Sequence, residues 1–235
     1  MTATVTELDP FAILDAEAAR LDQFFGSLSG SDWDRPSRAE GWSVRDVLGH
    51  LAGGEAYNHA CLNDEVPAFL ATVGDAGVQG IDGFNQWTVD QRHDLPVDDV
   101  LAEWRGTNRW TRDRLRALGR DAELPTMAGP YPVGLQALHL ASEIATHADD
   151  VGARAVGPDE PSRTDWRLRF GRYALTERDA PPSVELSEPD GRVIVTADAG
   201  SAQLSPAEFV EATVGRLPAD HPLDDQVRQS LRCLA

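Results

Sequence analysis

The chain has 235 residues, 41% of them hydrophobic, and a formal net charge of −18 at neutral pH. That length and apolar content suit one large domain or two small ones with a real core. The negative field argues against nucleic acid or a membrane surface as partner. All 21 cationic side chains are arginine, which fits GC-rich coding and means that any anionic substrate has to be met by a local Arg. Two cysteines, Cys61 and Cys233, make no disulfide framework and no thiol-only metal site, so a reducing compartment is expected. The opening MTATVTELDP has acidic residues and no cationic flank before an apolar run, and no apolar stretch reaches about 18 residues. No signal peptide and no spanning helix are expected, and the cytoplasm is the expected location.

In chain order, residues 11–28 read as an amphipathic helix, with Phe11, Leu14, Ala18, Leu21 and Phe25 near helical spacing and Asp9-Pro10 as its start. Residues 41–62 follow as a second helix: Ser43 with Asp46 three residues later forms a capping-box signature, and Val44, Val47, Leu48 and Leu51 make the buried stripe. Residues 63–80 read as a loop or short irregular segment. Two more helices are expected over 81–93 and 97–118, then a Pro- and Gly-rich loop over 119–134 and a helix over 135–151. Beyond Gly157 the character changes. A short helix is expected over 166–175, strands over 183–187 and 192–197 around a turn at 188–191, a third short strand at 203–204, and a helix over 205–217 capped by Ser205. The expected fold class is α+β: a helical bundle over residues 1–157 followed by a small α/β domain over residues 158–235.

The segment LQALHLASEIATHADDV, residues 135–151, carries the chemistry. Glu143 and His147 lie four residues apart and therefore one above the other on one helix face. Leu140, Ile144 and Val151 share that side, so a carboxylate and an imidazole point inward, which is costly unless something pairs or coordinates them. A metal ion with a third ligand would do so. His139 continues the ladder, but three ligands in line span about 12 Å of helix rise, too far for one ion at about 2.1 Å from each. Of the remaining histidines, His50 is the better placed, at the edge of the buried stripe of its own helix. His59, His93, His139 and His221 read as structural or exposed, and Cys61 as a small buried hydrophobe. Glu55, Asn58 and Asn85 are candidates for lining the cavity. The bland alternative is that Glu143 pairs with Arg45 or another Arg.

The run Gly41-Trp-Ser-Val-Arg-Asp-Val-Leu-Gly-His50-Leu51-Ala52, followed some ninety residues later by Glu143-x-x-x-His147, resembles the DinB-like metal-binding four-helix bundles. More narrowly, it is similar to the mycothiol-dependent maleylpyruvate isomerase family. The resemblance implies a divalent metal, usually Zn2+, held by His50, Glu143 and His147, with mycothiol as thiol cofactor and a small molecule as substrate. It also covers the tail, where the family often has a helix ending in Gly-Arg and this chain has Val214-Gly215-Arg216; Phe209 and Val210 stand where Trp is common. Arg216 is thereby the candidate for holding a carboxylate of substrate or thiol by bidentate pairing.

The activity implied is addition of a thiolate, generated on the metal, to an electron-poor carbon. With a cis double bond conjugated to carbonyls, addition, rotation and expulsion of the thiol amount to isomerisation; without expulsion the same site is a thiol transferase. His50 and Arg216 are the catalytic candidates. Two readings from other classes stand beside it: a metal-dependent hydrolase using bound water, and a bundle in which the metal only staples helices. Two His and one carboxylate also suit iron, and either a monomer or a homodimer fits.

Overall fold

The structure, a computed structural model, describes residues 4–154, 159–187 and 191–234. Two units divide it: one is Pro10–Ala153, and the other gathers the described residues before Pro10 with those from Arg154 onward. The domain boundary expected at 157/158 lies outside the described residues. The fold is α+β, helical first and then a small sheet flanked by helices.

The first unit contains α1 (Pro10–Gly26), α2 (Val44–Leu62), α3 (Val66–Asp75), α4 (Gly80–Asp90) and α5 (Val97–Leu118), then the hairpin β1 (Glu123–Thr126) and β2 (Gly129–Pro132), and finally α6 (Val133–Val151). The bundle comprises α1, α2, α5 and α6: α1 packs along α6, α2 along α5, and α4 lies against α2. Leu14, Leu21, Leu48, Leu115, Leu138 and Ile144 are fully buried between them. Phe25 is stacked on Trp33 at 5.6 Å and meets Trp104 edge-on at 5.7 Å between ring centroids, a geometry aromatic quadrupoles favour.

The ends of the site-bearing helices are set locally. Ser43 Oγ accepts from the Asp46 N–H at 3.2 Å and the Asp46 carboxylate accepts from the Ser43 N–H at 2.9 Å, the reciprocal capping box that starts α2. At the other end of the pair, α6 stops at Gly152, whose φ of 90° is left-handed and suits glycine.

In this unit two segments differ from expectation. Residues 63–80 contain α3: Pro67 sits in its first turn, where the missing N–H does no harm. Only Val66 of this helix is buried, so its nearly all-apolar sequence lacks the alternation by which periodicity marks a helix. The segment 119–134 forms the β1–β2 ribbon, with Pro125 opposite Pro130 and Thr126 opposite Gly129; a two-stranded ribbon has free edges at which prolines cost no ladder bond.

In the second unit, α7 (Asp159–Leu175) begins earlier than residue 166 because Pro161 lies in its first turn. Strands β3 (Ser183–Leu186), β4 (Val193–Ala197) and β5 (Gly200–Leu204) form an antiparallel sheet in that order, with Val193 opposite Leu204 and Val195 opposite Ala202. The turn residues 188–190 lie outside the described set. The expected helix over 205–217 is shorter, α8 (Pro206–Thr213), with Ser205 capping it as read. A further helix, α9 (Asp225–Leu231), follows; its cap is Asp224, whose carboxylate accepts from the Gln226 and Val227 N–H groups at 2.9 and 3.3 Å. Val193, Val195, Leu204, Phe209 and Leu231 build this unit's own core.

Candidate metal centre

His50 enters from α2 and Glu143 and His147 from α6. The triad offers three ligand atoms that all lie within 4.8 Å of one another. His50 Nε2 stands 2.8 Å from Glu143 Oε1 and His147 Nε2 3.3 Å from the same oxygen. The two imidazoles are 5% exposed and the Glu143 side chain 30%, so the cluster is walled on the histidine side and reachable on the carboxylate side. The ring centroids of His50 and His147 are 4.9 Å apart.

Each imidazole is backed at its far nitrogen. His147 Nδ1 faces the buried Asp150 carboxylate at 3.1 Å, close enough to pair although poorly aligned for a full hydrogen bond. His50 Nδ1 faces the Thr88 hydroxyl of α4 at 3.3 Å. Partners of this kind orient metal-bound histidines and leave Nε2 for the ion. Trp42 covers the pair, its ring 5.0 Å from that of His50 and 6.1 Å from that of His147. Its loop is pinned to the end of α6, where the Arg38 N–H donates to the Asp150 carbonyl at 2.9 Å, and its indole N–H donates to Gln86 Oε1 of α4 at 3.0 Å.

Electrostatically the three groups are strongly coupled. Burial would raise Glu143, but His147 and His50 outweigh it and hold the carboxylate well below its usual range. Burial would likewise lower His147, yet Asp150 and Glu143 hold it up at about 9. For His50, burial prevails, with the charge of His147 acting in the same direction and Glu143 opposing, so it is lowered. Two imidazole nitrogens and a carboxylate oxygen converging on one point, each ring backed by a second partner, are the donor set of a three-ligand divalent site with an open position.

The other candidate residues are placed elsewhere. Arg45 does not pair with Glu143; it donates to the carbonyls of His93 and Leu95. His59 packs on Trp110 at 4.2 Å and His139 meets the Tyr131 hydroxyl at 3.1 Å. His221 accepts from the Leu223 N–H. Glu55 and Asn58 are locked into the α2–α5 interface instead of lining a cavity. Glu55, 2% exposed, accepts from Asn108 at 2.7 Å, Thr111 at 2.6 Å and Asn58 at 3.3 Å. The Asn85 carbonyl accepts from the Thr88 hydroxyl. Cys61 is 1% exposed and burial raises its thiol, as suits a small hydrophobe. Arg216 lies in the second unit just past α8; its N–H donates to the Glu211 carbonyl at 2.8 Å and its side chain is half-buried.

Trp42, Thr88 and Asp150 were not among the sequence candidates. Asp150 had a signal, since it follows His147 by three residues and shares its helix face. Thr88 had none, because nothing in the spacing of α4 relates it to His50.

A family model described as the mycothiol maleylpyruvate isomerase N-terminal domain matches residues 14–152, and the chain belongs to that family. Over most of its length the chain shares the fold of the mycothiol-dependent maleylpyruvate isomerase. Against its crystal structure the TM-score is 0.66 at 16% identity, covering 93% of each chain. Against that of a histidine-to-alanine variant it is 0.64 at 15% identity, covering 92% of each. An uncharacterised protein of Mycobacterium tuberculosis, from strains CDC 1551 and H37Rv, is 27% identical over 194 residues, spanning 77% of this chain and 74% of the relative. Among the described residues, no helix is long and apolar enough to cross a membrane.

Proposed function

We propose that the protein is a metal-dependent enzyme that uses mycothiol for thiolate addition to an electrophilic small molecule, as in maleylpyruvate cis–trans isomerisation or thiol transfer. The observation that carries this reading is the convergence of His50, Glu143 and His147 from two helices, within 4.8 Å, in a chain of this family. A divalent ion there, Zn2+ by preference, supplies an open coordination position and the charge that keeps a bound thiol deprotonated at neutral pH.

The chain's own residues supply the rest. With an ion bound, His50 and His147 would present neutral nitrogen donors, His147 giving up the proton that Asp150 and Glu143 otherwise hold on it, and Glu143 the single anionic one, so an ion held by them would keep net positive charge for a thiolate. Trp42 closes one side against water, while the exposed flank of Glu143 leaves the approach to thiol and substrate. Arg216 is the proposed guanidinium for a carboxylate of thiol or substrate, a planar fork matched to that group.

Metal analysis of wild type and His147→Ala, followed by calorimetry with mycothiol and an assay of maleylpyruvate isomerisation, tests the proposal. One zinc per chain in wild type, its loss in the variant, and thiol binding only with metal present are expected. A metal-free wild type overturns the reading; a metal-loaded protein indifferent to mycothiol moves it to the hydrolase or the structural staple. Arg216→Ala is expected to raise KM for the thiol or for an anionic substrate with metal content unchanged.

A further inference from the structure

The Thr88 hydroxyl has one hydrogen, and it is committed: Oγ1 donates to the Asn85 carbonyl at 2.6 Å, within the same turn of α4. Toward His50 Nδ1, 3.3 Å away, it can therefore only accept. An accepting hydroxyl at that place favours the His50 proton on Nδ1, and in the neutral ring this leaves Nε2 as a bare lone pair. That lone pair points at Glu143 Oε1, 2.8 Å away, an acceptor facing an acceptor, which a cation between them converts from repulsion to attraction.

The packing enforces this arrangement. Thr88 is fully buried at 0% exposure. It approaches α2 so closely that a Cβ on Gly53 would lie 2.5 Å from Thr88 Cβ and 2.9 Å from its Cγ2. Packing this close holds the Thr88 side chain in its rotamer, which keeps Oγ1 within reach of both the Asn85 carbonyl and His50 Nδ1.

We propose that Thr88 is a positioning residue that fixes the tautomer of His50 and thereby selects Nε2 as its ligand atom. The role in metal binding rests on the triad being a metal site; the tautomer assignment does not. Thr88→Val keeps the shape and removes the acceptor, leaving the Nδ1–H buried without a partner. The ring then gains by moving its proton to Nε2, where Glu143 accepts it and no lone pair remains for an ion. Partners at this remove from a metal typically change affinity by about 10- to 100-fold.

The test has two readouts. In metal-free protein at about pH 8, above the ordinary imidazole range, nitrogen NMR of labelled histidine, with His50 assigned by a His50→Gln spectrum, reports which ring nitrogen carries the proton. Separately, zinc affinity is measured by competition with a chromophoric chelator. The expected results are Nδ1–H in wild type and a shift toward Nε2–H in Thr88→Val. Zinc binding weakens by about 10- to 100-fold in that variant and recovers in Thr88→Ser, which keeps the hydroxyl. A wild-type His50 protonated on Nε2 overturns the proposal, as does a Thr88→Val protein that binds zinc as tightly as wild type, or a Thr88→Ser protein as weak as Thr88→Val. If wild type binds no zinc at all, the metal reading fails, while the wild-type nitrogen spectrum still decides the tautomer assignment.

Discussion

Glu55 is a buried carboxylate held by three neutral donors, with His59 the one charged influence that electrostatics assigns to it. Burial raises it above its usual range, and the hydrogen bonds from Thr111, Asn108 and Asn58 only partly oppose this. The folded state thus holds the Glu55 proton at pH values where the unfolded chain has released it. Stability from this group is therefore full below the unfolded carboxylate range and falls as pH rises through the raised folded value. Glu55→Gln is expected to flatten that fall: its melting temperature, compared with wild type from about pH 5 to about pH 8 across the carboxylate and imidazole range, gains relative to wild type toward the alkaline end. An unchanged pH profile would show that Glu55 ionises in the fold without penalty. Glu55 also shows what a lone sequence cannot give. Its place on α2 was legible, but the Asn108 and Thr111 donors come from α5, more than fifty residues on, and only packing brings them to it.

At the scale of elements, α2 is held from its start and along its length. Removing the cap with Ser43→Ala is expected to cost about 1 kcal/mol, read from chemical denaturation, because the Asp46 N–H loses its acceptor and the Asp46 carboxylate loses the Ser43 hydroxyl. Gly53 is the sharper case. Alanine is the better helix former, and on an open helix face Gly53→Ala would stabilise by up to about 1 kcal/mol. Here its Cβ meets Thr88 and Arg92 Nη1 at 2.5 and 2.7 Å, so α4 has to move off α2. The expected outcome is destabilisation together with weaker zinc binding, although Gly53 touches no candidate ligand. The capping boxes at Ser43 and Ser205 were readable because both partners lie within four residues. By contrast, α3 and the β1–β2 ribbon were not, since the first lacks polar alternation and the second is written in prolines that ordinarily mark loops.

Across the whole molecule, the two units have separate cores, and the triad's ligand contacts described above all lie within the first. Phe209 is fully buried in the core of the second, so Phe209→Ala is expected to cost about 3–5 kcal/mol. Below its melting temperature the variant should still bind one zinc; loss of zinc there would tie the site to the second unit. The net charge of −18 acts at this scale too. It slows the approach of an anionic electrophile, and salt screens it over about 8 Å at physiological ionic strength. With the proposed activity, kcat/KM for an anionic substrate is expected to rise with moderate salt, and that for a neutral one to stay level.

The sequence by itself determined the helices with a polar edge and an apolar stripe, the caps that start α2 and α8, and the pairing of Glu143 with His147 on one face. These depend on neighbours within a few residues, where backbone geometry dictates who meets whom. His50 could be named as the cross-helix candidate, but its 2.8 Å approach to Glu143 belongs to the tertiary structure. So do the Asp150 and Thr88 backing of the two imidazoles, the Trp42 cover and the burial of Glu55. Those contacts join segments from different helices and loops, or depend on which rotamer dense packing leaves open. A side chain's local sequence says which face it occupies, while the atom it meets across that face is decided by the helix that packs there.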